Sequence, residues 1–292
     1  MKKVLSLLLA VSVLFCLASC GKTDTKTDLQ PLRIGIVKGS AQVERDVFDN
    51  MTSRLEKAGY QLTYVEFDTE AETLTALTEK QVEFTCCTTL ADFRAYDEAH
   101  PDTLVNLGSA YYYPYGVFLS GFEKAEQVTD GATIAVPSEP EGQARALMLL
   151  DAAGYIKLKQ GKTLDATLDD IEQNDRGFAI SAYPESELPA RYKDFSSDLI
   201  VMHSKTAADA GYAVDKYSIA IEGMDSIAAR ETAAVLLVNR EEAASERIAA
   251  AKNLFFSPLM YDLIDDYPSG VIVPAFEISP MKLASPTNEA DG

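Results

Sequence analysis

The sequence predicts an α/β protein of two lobes with a ligand cleft between them. Three observations carry that prediction. Short apolar runs alternate with segments of helical period, the alternation ends in an extended stretch and then restarts, and the chain continues beyond the second unit with more of the same pattern. A length of 292 residues fits about two domains at roughly 150 residues each. Hydrophobic residues at 47% and charged residues at 24% give a globular composition.

In chain order, Leu32-Arg33-Ile34-Gly35-Ile36-Val37 reads as a buried strand ending in Lys38-Gly39-Ser40. Residues 43–58 place Val43, Val47, Met51, Leu55 and Ala58 on one stripe, which predicts an amphipathic helix stopped by Gly59. A strand over 61–67, a short helix over 72–78 and a strand over 82–87 follow, an order that implies parallel strands under covering helices. Residues 104–120 form a longer extended region containing Tyr111, Tyr112, Tyr113 and Tyr115. The second unit has a strand over 132–136, a helix over 140–153, and strands over 178–181 and 199–202. A strand over 233–238, helical segments over 241–255 and 258–264, and Val271-Ile272-Val273 complete the pattern. The first lobe is therefore expected from 32–117 plus 228–277, the second from 118–227, with 278–292 as a tail.

Charge and scarce residue types narrow the function. Lys and Arg number 26 against 45 Asp and Glu, a formal charge of −19, which argues against a nucleic-acid partner. The two histidines, His100 and His203, leave little for a multi-histidine metal site, and four cysteines without C-x-x-C spacing exclude a zinc ribbon. The tyrosine run lacks the His/Asp company that ferric iron needs, so no metal and no cofactor are expected. Without a Gly-x-Ser-x-Gly elbow, an enzyme is the weakest of the function classes. Cys86 and Cys87 are adjacent, where disulfide geometry fits poorly, and read as small buried hydrophobes.

The amino terminus reads as an export signal: Met1-Lys2-Lys3, an apolar run over 4–17, then Ala18-Ser19-Cys20. Leu17-Ala18-Ser19-Cys20 resembles the bacterial lipobox, in which cleavage before the cysteine accompanies acylation of its thiol. Loss of 1–19 leaves 24 basic against 45 acidic residues, a charge of −21. Residues 20–31 are then an acylated Cys20 and a polar tether, and the acyl chains hold the body at a membrane surface. The expected location is the cell membrane, lipid-anchored and facing the periplasm or the outside.

Residues 128–161 are the most informative stretch. Val128-Thr-Asp-Gly-Ala-Thr-Ile-Ala-Val-Pro-Ser-Glu-Pro leads into Glu141-Gly-Gln-Ala-Arg-Ala-Leu-Met-Leu-Leu and then Ala153-Gly-Tyr-Ile-Lys-Leu-Lys-Gln-Gly161. This resembles the methionine-binding lipoprotein (MetQ/NlpA) family, the substrate-binding subunits of ABC importers with the type 2 periplasmic binding protein fold. Further echoes are Ala166-Thr-Leu-Asp-Asp-Ile-Glu-Gln-Asn174, Glu187-Leu-Pro189 and Ala208-Asp-Ala-Gly211. The resemblance implies a small-molecule solute, a partner permease and ATPase, and a carboxylate-binding arginine at Arg145. On the residues themselves, Ser138 and Glu141 have capping-box spacing, Leu147, Leu149 and Leu150 should face the sheet, and Arg145 either grips a carboxylate bidentately or pairs with Glu141 on the helix surface.

Several positions depart from the family pattern. Cys87-Thr88-Thr89-Leu90-Ala91-Asp92 stands where an aromatic-histidine wall is usual, His203 and Val235 stand near family asparagines, and Gly142 replaces the asparagine of the turn. An ammonium without those amides needs another partner, and Glu139 and Glu141 are the acidic residues beside the turn. The expected ligand-binding set is Arg145, Tyr113, Thr88, Thr89, His203, Ser40 through its backbone turn, and Gly142. The sequence thus predicts a lipid-anchored binding protein for a small carboxylate-bearing solute, methionine-like or related. The rival is a surface or interaction lipoprotein that keeps the fold without transport.

Overall fold

The computed structural model describes residues 29–277 apart from 40, 41 and 121. The export signal, Cys20, Ser40 and the tail lie outside the described residues. The first unit comprises strand β1 (Gln30–Val37), helices α1 (Gln42–Asp49) and α2 (Thr52–Lys57), β2 (Tyr60–Phe67), α3 (Glu70–Thr78), β3 (Phe84–Thr89), α4 (Leu90–Ala99) and β4 (Leu104–Tyr112). The second comprises β5 (Tyr115–Leu119), β6 (Thr133–Pro137), α5 (Pro140–Ala152), a small hairpin of β7 (Lys157–Leu158) and β8 (Ile171–Gln173), β9 (Ala179–Tyr183), α6 (Leu188–Lys193), β10 (Leu199–His203), α7 (Ser204–Asp209), α8 (Val214–Tyr217) and β11 (Ser218–Ile221). The chain then returns through α9 (Ile227–Thr232), β12 (Ala234–Asn239), α10 (Glu246–Phe255), α11 (Pro258–Asp265) and β13 (Val273–Pro274).

Two sheets result, one of order β13-β4-β12-β3-β1-β2 and one of order β11-β5-β10-β6-β9. In each, three neighbouring strands are parallel and the rest antiparallel, because the βαβ crossovers place helices on the faces. One core lies under α1, α10 and α11 and takes Leu32, Ile34, Ile36, Phe48, Phe84 and Phe255. A second lies under α5 and takes Val117, Ile134, Val136, Leu147, Leu150 and Val201. A two-lobed α/β fold is what these separate cores and sheets amount to.

Three expectations are corrected. The helix expected over 43–58 is two helices, because Asn50 turns its side-chain amide back to the Asp46 carbonyl at 2.6 Å and competes with the helix ladder there. The stripe survives the break, with Val43, Val47, Met51 and Leu55 all buried. The first crossing, expected after Val117, comes at Tyr113-Pro114, since Tyr115–Leu119 pairs with β10 and β11. Proline has no N–H to give a ladder, so the strand pairing ends there and resumes in the other sheet. The Ser138–Glu141 capping box is absent: Pro140 takes the first helical position, which makes Glu139 the capping residue, without a side-chain bond.

Candidate functional site

The carboxyl ends of β6, β9 and β10 deliver Pro137, Tyr183 and His203 to the side of the second sheet where the chain crosses between lobes. Ligand sites in open α/β sheets lie beyond such strand ends. Helix α5 begins three residues after β6, and its Leu147, Leu149 and Leu150 pack into the second core. That packing fixes the helix rotation, so Arg145 is carried inward with 3% of its surface exposed.

The Arg145 guanidinium is fully engaged on one edge. Its Nη2 donates to Glu222 Oε2 at 2.5 Å and its Nε donates to Glu222 Oε1 at 3.3 Å, a bidentate pair with both side chains 4% exposed. Nη2 also donates to the Tyr113 carbonyl at 2.7 Å, and the guanidinium lies 4.7 Å over the Tyr115 ring. Burial pulls against the charged form, but the Glu222 hydrogen bonds and charge outweigh it and hold Arg145 above its ordinary range. The surface pairing with Glu141 exists as well, at 3.5 Å from Nη1 and with Glu141 two-thirds exposed. A carboxylate does grip Arg145 bidentately, and it belongs to the chain itself.

His203 sits among aromatic rings. Its imidazole centroid is 5.8 Å from Tyr113 and 5.2 Å from Tyr115, and Tyr113 in turn is 5.9 Å from Tyr111. Tyr111 and Tyr113 follow the period of two expected of extended chain and pack with the first core, while Tyr112 turns to pack against Ala229 and Ala233 and Tyr115, past the crossing, packs with the second core. The Nδ1 atom of His203 accepts from the Lys205 amide at 3.3 Å, which caps α7 and leaves Nε2 as the protonated nitrogen. Burial, with Arg145 and Lys205 nearby, pulls its pKa down to about 3, so the ring is neutral. Its backbone amide donates to Glu185 Oε1 at 2.8 Å.

The other expected residues are dispersed. Gly142, in the first turn of α5, lies against Tyr115: a Cβ there would stand 2.7 Å from the Tyr115 hydroxyl and 3.0 Å from Pro137. Its absent side chain is what lets that tyrosine approach the helix. Thr88 is wholly enclosed in β3, opposite Val235 of β12. Thr89 caps α4, its hydroxyl accepting from the Asp92 amide at 3.1 Å and donating to the Asp92 carboxylate at 2.5 Å. Arg145, Tyr113, His203 and Gly142 thus form one cluster, whereas the two threonines belong to the first sheet. Glu139, considered for an ammonium, instead accepts from the Glu185 amide at 3.1 Å.

Three acidic residues escaped sequence reasoning. Glu222 follows β11, its amide donating to the Tyr115 carbonyl and its carbonyl accepting from the Tyr112 hydroxyl at 2.8 Å, so both crossings are tied to it. Glu185, pushed up by burial, supports His203. Glu44 of α1 is 7% exposed and accepts from the Tyr111 hydroxyl at 2.5 Å. Among 45 acidic residues nothing in the local sequence marks these three. The one available signal was the position of Glu222 at the end of an apolar strand, immediately before Gly223.

Residues 32–276 match the sequence profile of the NlpA lipoprotein family. The chain belongs to that family. Relatives of the NlpA family include the lipoprotein YhcJ of Bacillus subtilis, 25% identical over 90% of this chain and 91% of its own. The D-methionine-binding lipoprotein MetQ of Salmonella typhi is 27% identical over 72% of this chain and 76% of its own. Among solved structures, a nutrient binding protein of Burkholderia cenocepacia bound to methionine superposes with a TM-score of 0.59 at 25% identity, over 84% of this chain and all of the other. The NlpA-family two-lobed architecture therefore holds, and with it the expected lipoprotein class.

Proposed function

We propose that this NlpA-family protein is the lipid-anchored solute-binding subunit of an ABC importer, anchored through Cys20. It captures a small, amino-acid-like carboxylate between its lobes and delivers it to a membrane permease and its ATPase. The observation that carries the reading is one buried guanidinium bonded to both interlobe crossings, Tyr113 in the first and Glu222 in the second. Its Nη1 edge, engaged by the long contact to exposed Glu141, is where a solute carboxylate docks by displacing Glu141. Tyr113, His203 and Gly142 line that position. A solute held there favours the closed arrangement by its differential affinity. The methionine named for MetQ and for the Burkholderia structure supports an amino-acid-like class of cargo.

The test is a thermal-shift screen of the intact chain against amino acids and organic acids, followed by small-angle scattering at saturation. A ligand that binds only the folded chain must raise its melting temperature, by about 2.7 kcal/mol of stabilisation at a hundred times Kd. Compaction of the scattering profile supports hinge closure; identical profiles at saturation refute it. One observation favours a second reading: Glu222 already gives Arg145 a carboxylate, as a fold kept for surface interactions without transport would have. A screen in which no solute stabilises the chain selects that reading.

A further inference from the structure

A cavity of 330 Å³ opens beside the second crossing, between α4 and α9, and no residue of the Arg145 cluster lines it. Leu90 of α4, Met224 of the crossing, Ala229 of α9 and Ala233 just after it give the cavity an apolar wall. That wall is held from behind. Tyr112, 1% exposed, packs on Ala229 and Ala233 and donates its hydroxyl to the Glu222 carbonyl at 2.8 Å. Met224 itself is 38% exposed, and residues 221–227 hold three of the five large hydrophobic side chains exposed among the described residues: Ile221, Met224 and Ile227. Apolar surface gathered in this way beside charged groups marks a place where something binds, because covering it is favourable.

The charged groups of the lining set the sign of the ligand. Arg94 donates to Glu231, whereas the exposed Arg230 side chain has neither an ion pair nor a hydrogen bond among the described residues. Two guanidiniums against one carboxylate leave the lining one unit positive, in a chain whose formal charge is −19. A free guanidinium presents a planar fork of N–H donors that matches a carboxylate. A bare carboxylate leaves the apolar wall uncovered, and a neutral hydrocarbon leaves Arg230 unanswered; one molecule carrying both groups answers both. The volume lies at the small end of ligand pockets, roughly 300–1,000 Å³, which limits the apolar body to a short branched chain or a single ring. We propose that this cavity binds a small apolar monocarboxylic acid, its body against Met224 and the two alanines and its carboxylate on Arg230. The proposal stands apart from the solute-binding reading, whose site is the Arg145 cluster.

The test follows the methionine methyl signals of the full chain, labelled with carbon-13, during titration with 4-methylpentanoate, its uncharged amide 4-methylpentanamide, and acetate. The seven methionines give few enough signals to resolve, and Met224→Leu identifies the one from the cavity wall while keeping that wall apolar. The Met224 signal should shift saturably with 4-methylpentanoate. The amide, which keeps the shape without the charge, should bind about tenfold more weakly, and acetate, which keeps the charge without the body, should produce no saturable shift. Arg230→Gln should weaken 4-methylpentanoate about tenfold and leave the melting temperature near that of the parent, because the residue is exposed and pairs with nothing. A Met224 signal unmoved by 4-methylpentanoate overturns the proposal on the unaltered chain, as do shifts confined to other methionines. Equal binding of acid and amide, or an affinity for the acid that survives Arg230→Gln, overturns it as well. None of these outcomes bears on the Arg145 site, which the amino-acid screen tests separately.

Discussion

Glu222 closes a bidentate ion pair on Arg145 from the far side of the second crossing, 77 residues later in the chain. The two groups bury each other: with each side chain 4% exposed, neither reaches solvent to be hydrated. Tyr113 joins the same guanidinium through its carbonyl, so the three-way contact fastens both interlobe segments to α5. A change at Arg145 is therefore felt at both crossings and not in one lobe alone.

Removing either member of this pair should unfold much of the advantage it gives. Arg145→Ala and Glu222→Ala are each expected to cost about 3–5 kcal/mol, because the surviving charge stays buried without a partner. Arg145→Met combined with Glu222→Leu should cost clearly less than the two single losses together, with a coupling of at least about 2 kcal/mol in urea melts. Additive losses would mean that the pair contributes no mutual stabilisation.

Stability should fall on mild acidification through His203. Its native pKa of about 3 lies below the ordinary value of 6.5, so the unfolded chain takes up the proton first. The contribution is complete above pH 6.5 and is lost progressively as pH falls toward 3, at no more than about 1.4 kcal/mol per pH unit. Glu44 and Glu185 are raised by burial and act in the opposite sense, which makes a variant comparison necessary. His203→Asn retains a helix-capping side chain, and its stability curve between pH 7 and 4 should be flatter than the parent's. Parallel curves would refute the neutral, buried imidazole.

Gly142 and Tyr115 should behave as a coupled pair. Gly142→Ala gains helix propensity but drives a methyl to 2.7 Å from the Tyr115 hydroxyl, and overpacking of that kind costs about 1–3 kcal/mol. Tyr115→Phe removes the clashing oxygen and loses only a 3.5 Å contact to Glu185. The double variant should therefore melt above Gly142→Ala alone, with the remaining deficit due to Pro137. A double variant no better than the single one would place the strain elsewhere.

The thiols of Cys86 and Cys87 are free, the first buried and the second half-buried, and burial pushes both above the ordinary range. A thiol reagent should leave them unmodified in the native protein at neutral pH and modify both in denaturant. Rapid native modification of Cys87 would show that the end of β3 opens to solvent.

Much of this protein was legible in the residues alone. Alternating apolar runs and helical stripes gave β1 to β3 in parallel order, because a buried strand needs side chains of one kind on both faces and an amphipathic helix needs a stripe. The stretch over 128–161 identified the family and carried Arg145 with it, since local sequence sets a strand, a turn and a helix that fold next to one another. What the tertiary structure decided was the partner of each charge. Glu222 reaches Arg145, and Tyr111 reaches Glu44 across 67 positions, only after the chain has crossed between sheets. A surface glutamate and a buried one look alike in sequence, because the cost of removing a carboxylate from water depends on what the fold brings beside it.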